Sequence, residues 1–271
     1  MDRSEEMSRA EQRILYARFQ LAHFFSLYFE STPAVLRGGD AAGDLEVSGS
    51  DHIPNRIVEG FVASVADHLR AWYRASAPTD NDSRPFLSVY ADYTLWRAIL
   101  EAAACAVWIL GPDEREERIL RGTRLAIYEW RKSVPLRHAD GDFDQPMARL
   151  HAEQEAVVRR VCIAMGFDFD SLDRKGLTPS AVVNGARNHL GSAGQDLAFW
   201  WTVCSRYAHA QTLTVMLLGV RTSERTPDGE TVNVTTDAEL LADVVGFGIT
   251  MIDMLVSLLR NGGFERRSRT E

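Results

Sequence analysis

An arginine and a histidine interrupt a nearly all-apolar run in the second half of the chain. The run is FWWTVCSRYAHAQTLTVMLL, Phe199 to Leu218, and it contains Arg206 and His209. Imidazole transfers protons near neutral pH and guanidinium holds phosphate, so this pair could cleave a phosphodiester. The same residues could instead form a buried polar plug in a helical core, where polar groups must be hydrogen-bonded. Ser205 lies with His209 on the more polar face of this run.

A second polar pair, Arg97 and Glu101, lies one helical turn apart in the apolar stretch YTLWRAILEAAACAVWIL. Arginine before glutamate is the less stabilising order, and such a pair contributes only ~0.2–0.5 kcal/mol to a helix. Buried charges require partners. We therefore predict an internal network that joins Arg97 and Glu101 to Ser205 and His209, with a structural role favoured over a functional one.

The chain also has a strongly basic stretch from 118 to 137. This stretch contains six basic residues and one acidic residue, Glu129, although the whole chain carries a net charge of −8. Arg118 and Arg121 are the candidate anion-binding residues in this stretch. A solvated helix face is the alternative interpretation.

No motif in the sequence predicts a metal or a cofactor. Cys105, Cys162 and Cys204 are odd in number and lack metal-ligand spacing, which favours a reducing cytoplasm. The acidic loop DGDFDQ at 140–145 lacks the glycine and the final glutamate of a calcium-binding loop.

The elements that must position these residues are mostly helical. Apolar periodicity predicts an all-α fold, a single multi-helix bundle formed by one domain over 1–271, with a disordered tail at 264–271. The Thr- and Val-rich arms around a Pro-Asp-Gly turn predict one short β-hairpin at about 221–236. The predicted helices are 5–30, 54–76, 86–110, 112–134, 146–165, 179–190, 195–220 and 237–261.

Composition limits the function classes. The pI near 5.4 and the net charge of −8 disfavour RNA and anionic membranes as partners. The N-terminus shows no signal peptide, and Arg206 opposes a membrane span over 197–220, so we predict a cytoplasmic protein. We also predict a homodimer formed through the apolar face of the last helix, which comprises Leu240, Leu241, Val244, Val245, Ile252, Leu255 and Leu259.

Two stretches resemble a known group of proteins. WRAILEAAACAVWILGPDEREERILRG, followed by TPS and SRYAHA, resembles uncharacterised, largely actinobacterial helical proteins that are distantly similar to HEPN-like domains. The resemblance covers about 93–125 and 178–212. Several HEPN-like domains are ribonucleases of toxin or defence systems. Four to six residues separate the catalytic arginine from the histidine in that family. Two residues separate Arg206 from His209.

Two functions therefore remain open. The favoured one is a non-catalytic module that binds a protein or a small ligand. The alternative is a metal-independent ribonuclease in which His209 acts as general acid or base, Arg206 or Arg121 holds the phosphate, and Glu101 orients the reacting group.

Overall fold

The computed structural model describes residues 7–28, 53–78, 84–133, 145–174, 176–226 and 229–261. Its elements are α1 (Arg9–Tyr28), α2 (Ile53–Ala75), α3 (Ala91–Leu110), α4 (Arg115–Ser133), α5 (Gln145–Met165), α6 (Phe169–Arg174), α7 (Pro179–Ala186), α8 (Gly194–Ala208), α9 (Thr212–Leu218), β1 (Val220–Thr226), β2 (Gly229–Thr235) and α10 (Ala238–Asn261). Short 3₁₀ turns occupy Arg187–His189 and Gly191–Ala193. The all-α prediction is confirmed. In the segment predicted to hold a hairpin, β1 and β2 pair antiparallel, with Val220 opposite Thr235.

The chain divides into two compact units. The described residues of the first unit lie within Met1–Ser31, Ala63–Ala103 and Leu190–Met254. Those of the second lie within Thr32–Val62, Ala104–His189 and Leu255–Glu271. A single domain over the whole chain stays a prediction, and the predicted tail at 264–271 lies outside the described residues.

Local signals explain several helix ends. α3 ends at Leu110, immediately before Gly111, as predicted. Thr178 caps α7 by accepting a hydrogen bond from the Ala181 backbone N–H at 3.2 Å, and Pro179 takes the first helical position.

The capping-box pattern of Thr236 and Glu239 predicts Thr236 as the cap of the last helix, and the structure has a different residue in that role. The structure has Asp237, rather than Thr236, accepting the backbone N–H groups of Glu239 and Leu240 at 2.9 and 3.2 Å. The Thr236 hydroxyl is buried and has no hydrogen-bond partner in the part of the chain that the structure describes.

The single helix predicted over 195–220 is also wrong. The structure has two helices, α8 and α9, separated by a turn at His209, Ala210 and Gln211. Ala210 has a φ of 49°, in the left-handed region that non-glycine residues seldom adopt. The run from 197 to 220 is therefore not one continuous element.

Aromatic side chains organise the core of the first unit. Trp72 meets Trp96 edge-on at a centroid distance of 5.1 Å, and Tyr93 stacks on Tyr207 at 4.0 Å. Gly248 of α10 lies against Trp96 so closely that a Cβ atom there would overlap the indole ring. Close helix packing thus requires glycine at 248.

The second unit has its own apolar core on α4, α5 and α6, formed by Ile119, Ala126, Ile127, Val158, Val161, Cys162 and Phe169. α6 lies in a stretch that we predicted as loop. The missed signal is Asp168, whose Oδ1 accepts the backbone N–H groups of Asp170 and Ser171 at 3.1 and 3.2 Å.

Two helices are long and apolar enough to cross a membrane by length and composition alone, Ala91–Leu110 and Ala238–Leu259. About half or more of each lies buried within the protein, as in core helices, so this property does not decide the location. The face of α10 that we predicted to form a dimer is turned inward. Leu240 is half-buried, and the other six residues of that face are buried. This face is not available for a dimer.

Candidate functional site

Arg97 and Glu101 form the predicted pair, and an indole completes it. Arg97 Nη2 lies 2.9 Å from Glu101 Oε2, and Trp201 Nε1 of α8 donates to the same oxygen at 3.0 Å. The Arg97 guanidinium also lies over the Trp201 ring, 5.9 Å from its centroid. Each charged side chain is 27% exposed. Glu101 therefore ties α3 to α8 at the edge of the core.

The surroundings of this pair are mainly apolar. Arg97 Nε is buried and has no hydrogen-bond partner among the described residues. Cys204 is fully buried nearby, and burial raises the pKa of its thiol far above the usual range, although the Arg97 charge opposes that shift. A thiol held neutral in this way is a poor nucleophile.

The predicted network does not include all four residues. Ser205 is half-buried, one turn after Trp201, on the helix that carries the pair's indole partner. His209 and Arg206 are exposed at the C-terminal end of α8. The prediction that His209 is a buried polar plug is therefore wrong. It fails because α8 ends there, so the polar face that carries Ser205 and His209 does not continue along one helix.

Arg118 and Arg121 already have several hydrogen-bond acceptors. Arg118 Nη1 donates to the carbonyl oxygens of Pro112 and Asp113 at 3.0 and 2.7 Å. Arg121 donates to Glu117 Oε1 at 2.7 Å and to the Trp108 carbonyl oxygen at 2.8 Å. These bonds fasten α4 to the end of α3 and to the loop between them.

Arg121 also contacts His189, which no sequence pattern singled out. Its Nη1 lies 2.9 Å from His189 Nε2. A guanidinium can only donate, so this imidazole nitrogen must accept and His189 must be neutral. The ring packs on Gly111, where a Cβ atom would overlap it.

The electrostatics agree with a neutral imidazole. Burial, followed by the charge of Arg121, lowers the pKa of His189, while Asp113, Glu117 and a hydrogen bond with the Gly111 backbone oppose the shift. With Nε2 bound to Arg121 and the other nitrogen facing this backbone, the imidazole lacks a free nitrogen for proton transfer. We interpret Arg121 and His189 as a structural clasp.

Asp92 is a second titratable residue that pattern reasoning missed. Burial raises the pKa of its carboxyl to about 6, although Oδ2 accepts the Ser88 backbone N–H at 2.6 Å. The side chain is almost fully buried, so the carboxyl has no contact with a substrate from solvent. Its position in the first turn of α3 marks it as a helix-start residue.

Among the described residues, a run of exposed apolar side chains lies on α9 and the start of β1. Leu213 and Leu217 are each 77% exposed, and three further apolar side chains beside them in sequence are at least one-third exposed. Leu213, Met216 and Leu217 repeat at helical spacing, so they share one side of α9, and Leu218 and Val220 follow at the end of the helix and the start of β1. We define the α9 face as Leu213, Met216, Leu217, Leu218 and Val220.

Metal binding finds no support in the described ranges, where no three His, Cys, Asp or Glu side chains come together as a ligand set. Comparisons of the chain with protein-family models, with curated proteins and with solved structures find no match. The site therefore has to be interpreted from its own geometry.

Proposed function

We propose that this chain is a non-catalytic helical module that binds a protein partner through the α9 face. The observation that carries the proposal is the exposure of Leu213 and Leu217, each 77% open to solvent on a helix that buries only Thr214 and Val215. Contiguous exposed apolar side chains of this kind typically mark interaction sites. The Arg97–Glu101–Trp201 cluster then serves to hold α8, the helix that leads to α9.

The state of the other polar residues supports a non-catalytic role. Glu101 is bonded to Arg97 and Trp201, and the bonds of Arg121 go to Glu117, Trp108 and His189. Both ring nitrogens of His189 face partners of their own. The ribonuclease alternative would need His209 and Arg206 to act from an exposed helix end, where no described group orients them.

The partner that fits best is a second copy of the chain. From Gln211 to Val220 the sequence has no ionisable side chain, so two copies related by a two-fold axis bring no like charges together. Elsewhere the net charge of −8 would oppose self-association. A seven-residue helix is only about 10 Å long, and a stable interface needs about 800 Å² from each partner, so we expect a weak dimer.

The location that we propose is the cytoplasm. Cys105, Cys162 and Cys204 are all buried as free thiols, which suits a reducing compartment. The similarity to HEPN-like domains remains a proposal as well, and it carries no part of the argument for the α9 face.

Sedimentation velocity over a dilution series tests the function. We expect reversible dimerisation of the wild type, and loss of it in Leu213→Glu and Leu217→Glu. The matched control is Ile163→Glu on α5, where the native side chain is 79% exposed and lies outside the α9 face. Equal dimerisation in all four proteins would contradict the proposal, and so would metal-independent cleavage of single-stranded RNA by the purified wild type.

A further inference from the structure

The break between α8 and α9 has only weak signals in the sequence, namely the basic residues Arg206 and His209 at the end of α8. Between Gly194 and Gly219 there is neither a glycine nor a proline, the residues that usually end helices. Gln211 precedes α9 and makes no side-chain capping bond. Ser, Thr, Asp or Asn would be the usual residue there. The local sequence therefore favours one continuous helix.

The turn itself is a regular helix C-terminus with an unsuitable residue. The Ala210 N–H donates to the Tyr207 carbonyl at 2.9 Å, and the Gln211 N–H donates to the Arg206 carbonyl at 3.0 Å. These are the two bonds of the Schellman motif, whose left-handed position is usually glycine. Here that position is Ala210, with a φ of 49°. The bent form thus keeps a residue in a conformation that its Cβ atom disfavours.

The bend is held mainly by two side chains. Thr214 and Val215 are the buried residues of α9, while the remaining apolar side chains face outward. Straightening would release the conformation of Ala210 and add helical hydrogen bonds, but it would withdraw Val215 from the core. These opposing contributions set the balance between the bent and the straight form.

We infer that Ala210 is a hinge that controls the α9 face. The chain exchanges between the bent form and a form in which α8 and α9 are one helix, and self-association selects the bent form. Only the bent form keeps Thr214 and Val215 buried and presents Leu213, Met216 and Leu217 on one side of a packed helix. This inference rests on the proposed docking through α9, and it adds the means by which that docking is regulated.

Substitutions at Ala210 shift the two forms in opposite directions. Ala210→Gly removes the left-handed penalty and disfavours the continuous helix, so the ratio of bent to straight should rise by about tenfold or more. Ala210→Val places a β-branched residue in the left-handed region, where it is a severe outlier, so the ratio should fall.

Pulsed EPR distances measure the ratio. Spin labels at Gln195→Cys and Leu218→Cys would be about 34 Å apart along a continuous helix and closer in the bent form. The three native thiols are buried, so the labels attach at the introduced sites. A Leu217→Glu background keeps the protein monomeric and separates the hinge from docking. We expect a major short distance and a minor long one, with the long one lost in Ala210→Gly and increased in Ala210→Val.

Sedimentation of the Ala210 variants without the labelling cysteines and with Leu217 restored tests the coupling. We expect Ala210→Val to weaken dimerisation, and Ala210→Gly to match or tighten it, because affinity scales with the bent fraction. One unchanged short distance in all three proteins would overturn the hinge. Distances that shift while dimerisation stays constant would overturn the regulation and leave the proposed function intact. Distances that shift while the wild type never dimerises would refute the docking itself.

Discussion

Replacing Glu101 should reveal how firmly α8 is held. Its Oε2 accepts one bond from Arg97 at 2.9 Å and one from Trp201 at 3.0 Å, so Glu101→Ala leaves two donors without their acceptor. Hydrogen bonds to charged groups contribute ~1.5–3 kcal/mol each, and partial exposure reduces that value. We expect the free energy of unfolding to fall by about 2–3 kcal/mol.

Urea denaturation followed by circular dichroism measures this loss of stability. Two further variants serve as comparisons. Glu101→Gln keeps an oxygen for the Trp201 indole, so it should lose about half as much. Glu153→Ala removes the same type of pair from an exposed position, where Arg149 is 83% exposed, and should change stability by less than about 0.5 kcal/mol.

A double-mutant cycle of Glu101→Ala with Trp201→Phe isolates the indole bond, because each substitution removes that bond while the loss of the ion pair cancels in the cycle. We expect a coupling energy of at least about 0.5 kcal/mol. The reasoning is refuted if Glu101→Ala unfolds at the same urea concentration as Glu153→Ala.

Two further predictions concern the packing of single residues. Burial, followed by the charge of Arg121, lowers the folded-state pKa of His189, so the unfolded chain binds the proton first and stability should fall as pH drops below 6.5. Denaturation at several pH values should show a shallower dependence in His189→Gln. An identical dependence would show that His189 has the same pKa in the folded and the unfolded chain. Gly248→Ala should destabilise the protein by ~1–3 kcal/mol in thermal melts, because its Cβ atom overlaps Trp96. Gly246→Ala on the same helix is the control. Its Cβ atom would lie 3.9 Å from the nearest side-chain atom, so this variant should match or exceed wild-type stability.

Features that depend on residues close together in the chain could be predicted from the sequence. Gly111 ends α3 and Thr178 caps α7 through bonds that span at most four residues, so the residue types alone predict them. The Arg97–Glu101 pair was also predictable, since helical spacing brings its two members together.

Contacts between residues far apart in the chain could not be predicted in this way. Trp201 lies 100 residues from Glu101, and His189 lies 68 residues from Arg121, so only the packed fold brings them together. The break at Ala210 was also missed. No glycine or proline marks the turn, so the helical period continues through it in the sequence, and the burial of Val215 becomes evident only in the packed fold.

Cross-linking through α9 tests the central claim most directly. With Leu217→Cys introduced, two copies that pair through the α9 face bring their new thiols together, and mild oxidation should give a covalent dimer at concentrations where the wild type dimerises. Ile163→Cys, equally exposed on α5, should remain monomeric under the same conditions. Equal yields from the two variants, or a dimer from Ile163→Cys alone, would contradict docking through α9.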